Sequence, residues 1–229
     1  MDTNRKTARI VGASFLLSNV TFILGAVVFV EPILSAPDYL TLVSANRAQV
    51  ILGVLLELIN GVAYLGIGVL MFPILKQRFE SMALGYVGFR ILEFVMQVLS
   101  GLSPLSLLNL SEEFVSAGAP AASSFQVLGT LLLAERNWAF QMVSITFGLG
   151  ALMFYAMLYQ SKLIPRFISI WGLIGAAVVL ANTMLDMFSL TVPNLGVLML
   201  LNELFLGVWL IVKGFNRSRE GYPNESNRI

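Results

Sequence analysis

Cysteine and histidine are both absent from this 229-residue chain, and charged side chains make up only 12% of it. Without cysteine there is no disulfide, thiolate nucleophile or thiolate metal site. Without histidine there is no imidazole base near neutral pH, no imidazole ligand for metal or haem, and no Ser-His or Cys-His triad. A soluble domain carries roughly 25% charged residues, so a chain with half that share cannot cover its surface in water. The net charge of +1 leaves no basic excess for a phosphate backbone, and nucleic acid is not an expected partner.

What fills the chain instead is apolar: 57% of residues are hydrophobic and the mean hydropathy is +0.83. Six uncharged or nearly uncharged blocks stand out, and they predict helices at about 8–31, 47–75, 81–107, 137–160, 166–187 and 195–215. Each offers the ~20 residues that a ~30 Å hydrocarbon layer asks of a helix. None shows the alternation of a barrel wall. The expected fold is therefore all-α: one polytopic membrane domain, a bundle of six transmembrane helices, with the lipid bilayer as its partner. The first block has the basic flank of a secretory signal, but it is longer than a signal core, and it is expected to stay as a membrane helix. Pro193-Asn194 supplies the turn between the last two blocks.

Lys and Arg divide unevenly between alternate loops. Arg5, Lys6, Arg9, Lys76, Arg78, Lys162, Arg166, Lys213, Arg217, Arg219 and Arg228 fall on one side, while Arg47 and Arg136 fall on the other. The positive-inside rule then places both termini in the cytoplasm of a cell-membrane protein. The longest loop, 111–136, is expected outside, with 124–134 as a short helix lying on the surface. Residues 216–229 read as a flexible tail. Weak internal similarity links 66–72 with 148–154, and 57–62 with 203–208.

Four charges interrupt the apolar blocks: Glu57, Arg90, Glu93 and Glu203. An ionised group at a helix centre costs ~2.5–3.5 kcal/mol on insertion scales, so such groups turn inward and find partners. Tyr86, Arg90, Glu93 and Gln97 share one helical stripe, as do Gly53, Glu57, Asn60 and Tyr64. Counting 1.5 Å per residue puts Glu93 ~18 Å from the inner end of its helix, with Glu57 ~15 Å and Glu203 ~12 Å from the outer ends of theirs. One shared polar centre, made of Glu57, Asn60, Tyr86, Arg90, Glu93, Gln97 and Glu203, is the expectation. Three acids face one guanidinium there, so either a carboxyl carries a proton or Arg47 or Arg136 reaches in from the outer rim, where Asp186 also stands.

Two uses suit such a centre. It binds a small cationic ligand, a proton or an ion, as a transporter would, or it is a buried network that only fixes helix packing. A lipid-modifying enzyme is a third reading, with no catalytic residue to name, and no cofactor or metal ligand set is expected. The glycine pairs Gly66/Gly68 and Gly148/Gly150 lie inside apolar helices, where close packing is their use.

Several segments together resemble the bacterial membrane proteins grouped as domain of unknown function 4386. They are Ala8-Arg9-Ile10-Val11-Gly12, Leu55-Leu56-Glu57-Leu58, Phe72-Pro73-Ile74-Leu75 and the run from Leu84 to Glu93. In the second half they are the run from Leu158 to Arg166 with Trp171-Gly172, and Glu203-Leu204 with Lys213-Gly214-Phe215. The resemblance implies a multi-pass membrane protein and brings no assigned functional residue.

Overall fold

The computed structural model describes residues 3–119, 124–190 and 195–216, and among these there is no strand. Helix α1 (Thr3–Phe22) continues through a π-helical stretch (Ile23–Val30) into the short α2 (Glu31–Leu34). Pro32 in α2 cannot donate to the preceding turn and crowds its carbonyl, and the wider π turn lies directly before it. A small α3 (Tyr39–Ala45) precedes α4 (Arg47–Ser116), which is followed by α5 (Ser124–Ser161), α6 (Arg166–Met187) and α7 (Val197–Val212).

The 70 residues of α4 are not one rod. Phe79, flanked by Arg78 and Glu80, has φ −135° and ψ 55°, and the helix turns back there. In a straight helix Glu57 and Gln97 would be ~60 Å apart, yet Gln97 Nε2 donates to Glu57 Oε2 at 3.2 Å. The two limbs, 47–78 and 80–116, therefore run antiparallel. α1 packs on α4 and α7, α7 on α6, α6 on α5, and α5 back on α4, which closes a ring.

Small residues let these helices meet. Gly12 of α1 and Gly207 of α7 oppose each other so closely that a Cβ on Gly12 would lie 2.6 Å from the Gly207 carbonyl oxygen. Gly25 and Gly53 bring the π-helical stretch and α4 together in the same way, and Gly172 admits the ring of Tyr155. The pattern of burial is inverted relative to a soluble protein. Leu84, Val69 and Ile174 face outward, 64%, 57% and 55% exposed, while Glu57, Arg90, Glu93 and Glu203 are buried. Four of the described helical segments are long and apolar enough to cross a membrane, and α4 is one of them. α7, at 16 residues, rises ~24 Å.

One expectation is corrected. α4 runs to Ser116, and α5 begins at Ser124 and continues without a break to Ser161, so 124–134 is no separate surface helix but the first turns of α5. The polar run Glu135-Arg136-Asn137 reads as a helix boundary in sequence. In the helix, Arg136 turns inward while Glu135 stays exposed, and three polar residues then interrupt nothing. Gly129 does not break the helix because its bare face receives the Tyr39 ring. The Pro193-Asn194 turn, Arg217, Arg219, Arg228 and the rest of the tail beyond 216 lie outside the described residues.

The interior has two apolar clusters. One joins Ala8, Val11, Phe15, Met71, Leu75, Phe154 and Leu158 toward the end of the bundle that carries Lys76 and Lys162. The other joins Val30, Leu40, Val43, Val50, Leu107 and Phe114 at the opposite end, beneath α3. The polar residues sit between them.

Candidate functional site

The buried charges resolve into two sets. In the first, Arg136 of α5 reaches across to Glu57: Nη2 lies 2.6 Å from Oε1 and Nη1 3.3 Å from Oε2, a forked arrangement. Arg136 Nη1 also donates to the carbonyl of Ser100 at 3.1 Å. With Gln97 donating to the same carboxylate, both Glu57 oxygens accept from donors. Arg47 does not enter: it pairs with Glu112 at the surface, where both are half exposed.

In the second set, Arg90 Nη1 donates to Glu93 Oε2 at 2.6 Å, and both residues are buried. The Arg90 guanidinium also lies against three rings, 4.7 Å from the centroid of Tyr64, 5.1 Å from Tyr86 and 5.2 Å from Phe147. A guanidinium is less strongly hydrated than an ammonium and stacks on aromatic faces, so the rings replace much of its lost water. Tyr86 in turn stacks on Phe154 at 5.0 Å, which ties the pair to the apolar cluster below.

Glu203 of α7 differs from the other acids. Its Oε2 accepts from the Tyr64 hydroxyl and from Asn19 Nδ2, at 3.5 Å in the latter case. Its Oε1 has no partner, and it is in none of the ion pairs among the described residues. Tyr64 and Asn19 are both neutral donors, so the Glu203 side chain is buried, 3% exposed, with no cation in contact.

Glu93 and Glu203 stand on the wall of a cavity of about 1090 Å³. Asn60 and Gln97 line it too, whereas Glu57, Arg90, Tyr86 and Arg136 do not. Asn60 is held by donating to the Ser18 carbonyl at 2.9 Å. The cavity extends past Gln141 and Trp138 to Asp186, Ser189 and Leu190, which are exposed. Asp186 accepts from Gln141 Nε2 at 3.2 Å. The cavity thus runs from the protein surface at the Asp186 end down to two carboxyls in the middle of the bundle, with the Arg90 stack and the Phe154 cluster closing it below.

Sequence reasoning passed over Asn19, Gln141 and Phe147, and noticed Tyr64 only as part of a stripe. Asn19 is the one amide in a largely apolar first block, next to Ser18, and Gln141 is an amide within the fourth, so the same cost argument that picked out the acids applies to them at lower stakes.

An apolar exterior, a polar interior and helices of spanning length fit an integral membrane protein of the helical-bundle class. The family model described as domain of unknown function (DUF4386) matches residues 10–214, and the chain belongs to that family. No curated protein and no solved structure matches the chain.

Proposed function

We propose that this is a six-span protein of the cytoplasmic membrane, with both termini inside, that binds a small organic or inorganic cation in a cavity open to the outer side. The spans are α1 with its π-helical continuation, the two limbs of α4, α5, α6 and α7. The excess of Lys and Arg at the Lys76/Lys162 end supports the orientation. It puts Asp186 and the cavity mouth outside.

The observation that carries the binding role is Glu203: an acid at the base of a cavity, with one oxygen unpartnered and only neutral donors on the other. A carboxyl whose task is to fix packing is matched by a cation, as Glu57 is by Arg136 and Glu93 by Arg90. Those two pairs favour a structural reading for their own half of the polar centre. Glu203 is the group left for a ligand.

The test is isothermal titration of the purified protein in lipid nanodiscs with sodium, potassium and a series of primary alkylamines. At least one cation is expected to bind, with affinity falling about tenfold or more in Glu203→Gln, equivalent to ~1.4 kcal/mol, and unchanged in Arg47→Gln. Equal affinity of wild type and Glu203→Gln, with both folded, would overturn the assignment.

A further inference from the structure

Besides Glu203, one other residue of the cavity wall keeps a buried polar atom without a partner: Gln141, through Oε1. Gln141 is 7% exposed. Its amide has a fixed sense. The Asp186 carboxylate only accepts, so the amide nitrogen must face it, and the carbonyl oxygen is turned away from that bond. Both unpartnered atoms of the wall are therefore acceptors, and the buried donors without a partner among the described residues, such as Arg90 Nε and Trp209 Nε1, do not line the cavity. An occupant that satisfies this wall brings a hydrogen-bond donor at each of two points.

The two points lie at different depths. Phe147 is six residues beyond Gln141 on α5, or ~9 Å along the axis. Its ring meets that of Tyr64 edge-on at 5.6 Å between centroids, and the Tyr64 hydroxyl holds Glu203. Between the two levels the wall carries Val143, Val179 and Met199, together with Ser144 and Thr183, whose hydroxyls donate to carbonyls of their own helices. Each end also carries a carboxyl without an ion-pair partner among the described residues: Glu203 below and Asp186 above.

We infer that the ligand is a linear aliphatic diamine, with one ammonium on Glu203 and the other on the Gln141 carbonyl beside Asp186. Its methylenes run past Val143, Val179 and Met199 between. A chain of four or five carbons built from ~1.5 Å bonds, with a ~2.8 Å charge-assisted hydrogen bond at each end, covers ~9 Å with room to bend. This inference rests on the cation-binding reading of the cavity and names the ligand class within it.

The experiment is titration calorimetry in nanodiscs with putrescine and cadaverine against the length-matched monoamines n-butylamine and n-pentylamine. A diamine is expected to bind at least tenfold tighter than its monoamine. Gln141→Leu is expected to remove that advantage while leaving the monoamine affinity in place. Asp186→Asn, at an exposed position, is expected to reduce the advantage in the same direction. Glu203→Gln is expected to weaken both ligand types. If diamine and monoamine bind equally and both depend on Glu203, the diamine assignment falls and the cation site stands. If no amine binds while an alkali cation does, in a Glu203-dependent manner, the result is the same. If nothing binds, both fall.

Discussion

Replacing Arg136 by Met tests whether the Glu57 half of the polar centre holds the fold. The Arg136 and Glu57 side chains are 8% and 2% exposed, and the guanidinium makes two bonds to the carboxylate and one to the Ser100 carbonyl. Its removal leaves Glu57 with Gln97 as its remaining bonded partner, at 3.2 Å. Breaking a buried pair by deleting one partner costs about 3–5 kcal/mol, because the surviving charge has lost both water and counter-charge. Replacing both partners by apolar residues of similar volume is often near neutral. Arg136→Met alone is therefore expected to lose about 3–5 kcal/mol, and Glu57→Leu/Arg136→Met to regain most of it, so the double-mutant cycle shows strong coupling. The assay is reversible unfolding in mixed sodium dodecyl sulfate and dodecyl maltoside micelles, followed by far-ultraviolet circular dichroism. A single-variant cost below about 1 kcal/mol, or a double variant no more stable than Arg136→Met, would refute the account. The double variant should also keep cation binding, since neither residue lines the cavity.

Three further outcomes are expected. Gly12→Ala and Gly207→Ala each push a Cβ to within 3.0 Å of the facing backbone oxygen, so α1 and α7 must part, at about 1–3 kcal/mol each by the same unfolding assay. By contrast Gly66→Ala and Gly88→Ala meet nothing within 4 Å and should gain about 0.5–1 kcal/mol through lower backbone entropy in the unfolded chain. The natural absence of cysteine makes orientation directly readable. In intact cells a membrane-impermeant maleimide should label Glu113→Cys and leave Gln77→Cys untouched until the membrane is opened, and the reverse pattern would invert the topology.

The helices and the inward turn of the charged residues were legible in the sequence because both follow from one strong term, the cost of polar groups in hydrocarbon. A run of ~20 apolar residues has few other places to go, and an acid within it has only one face to use. What could not be read was which partner each acid takes. Arg47 and Arg136 both stood near the Glu57 end of the bundle. The choice depends on α5 starting at Ser124, which puts Arg136 within a helix and aimed across the bundle, while Arg47 sits at the first turn of α4 beside Glu112. Gly129, with no bulk to oppose the Tyr39 ring, permits that early start, and this packing relation has no periodic signature.

The same local sequence does two different things here. Glu57-Leu58-Ile59-Asn60-Gly61-Val62 and Glu203-Leu204-Phe205-Leu206-Gly207-Val208 share an acid followed four residues later by a glycine, one turn along the same face. In both, the glycine lets a neighbour approach: Gly61 receives the Phe94 ring and Gly207 receives the α1 backbone at Gly12. The neighbours then decide the chemistry of the acid. The second limb of α4 and α5 bring Glu57 an amide and a guanidinium, and the carboxylate is closed off. α1 and the first limb of α4 bring Glu203 an amide and a phenol, and an acid is left without a cationic partner beside a cavity that reaches the surface. A bundle held together by two internal ion pairs can carry a third, uncompensated acid, because its stability no longer depends on that acid being satisfied from within. That division is what makes Glu203, rather than Glu57 or Glu93, the residue whose loss should change binding while leaving the fold in place.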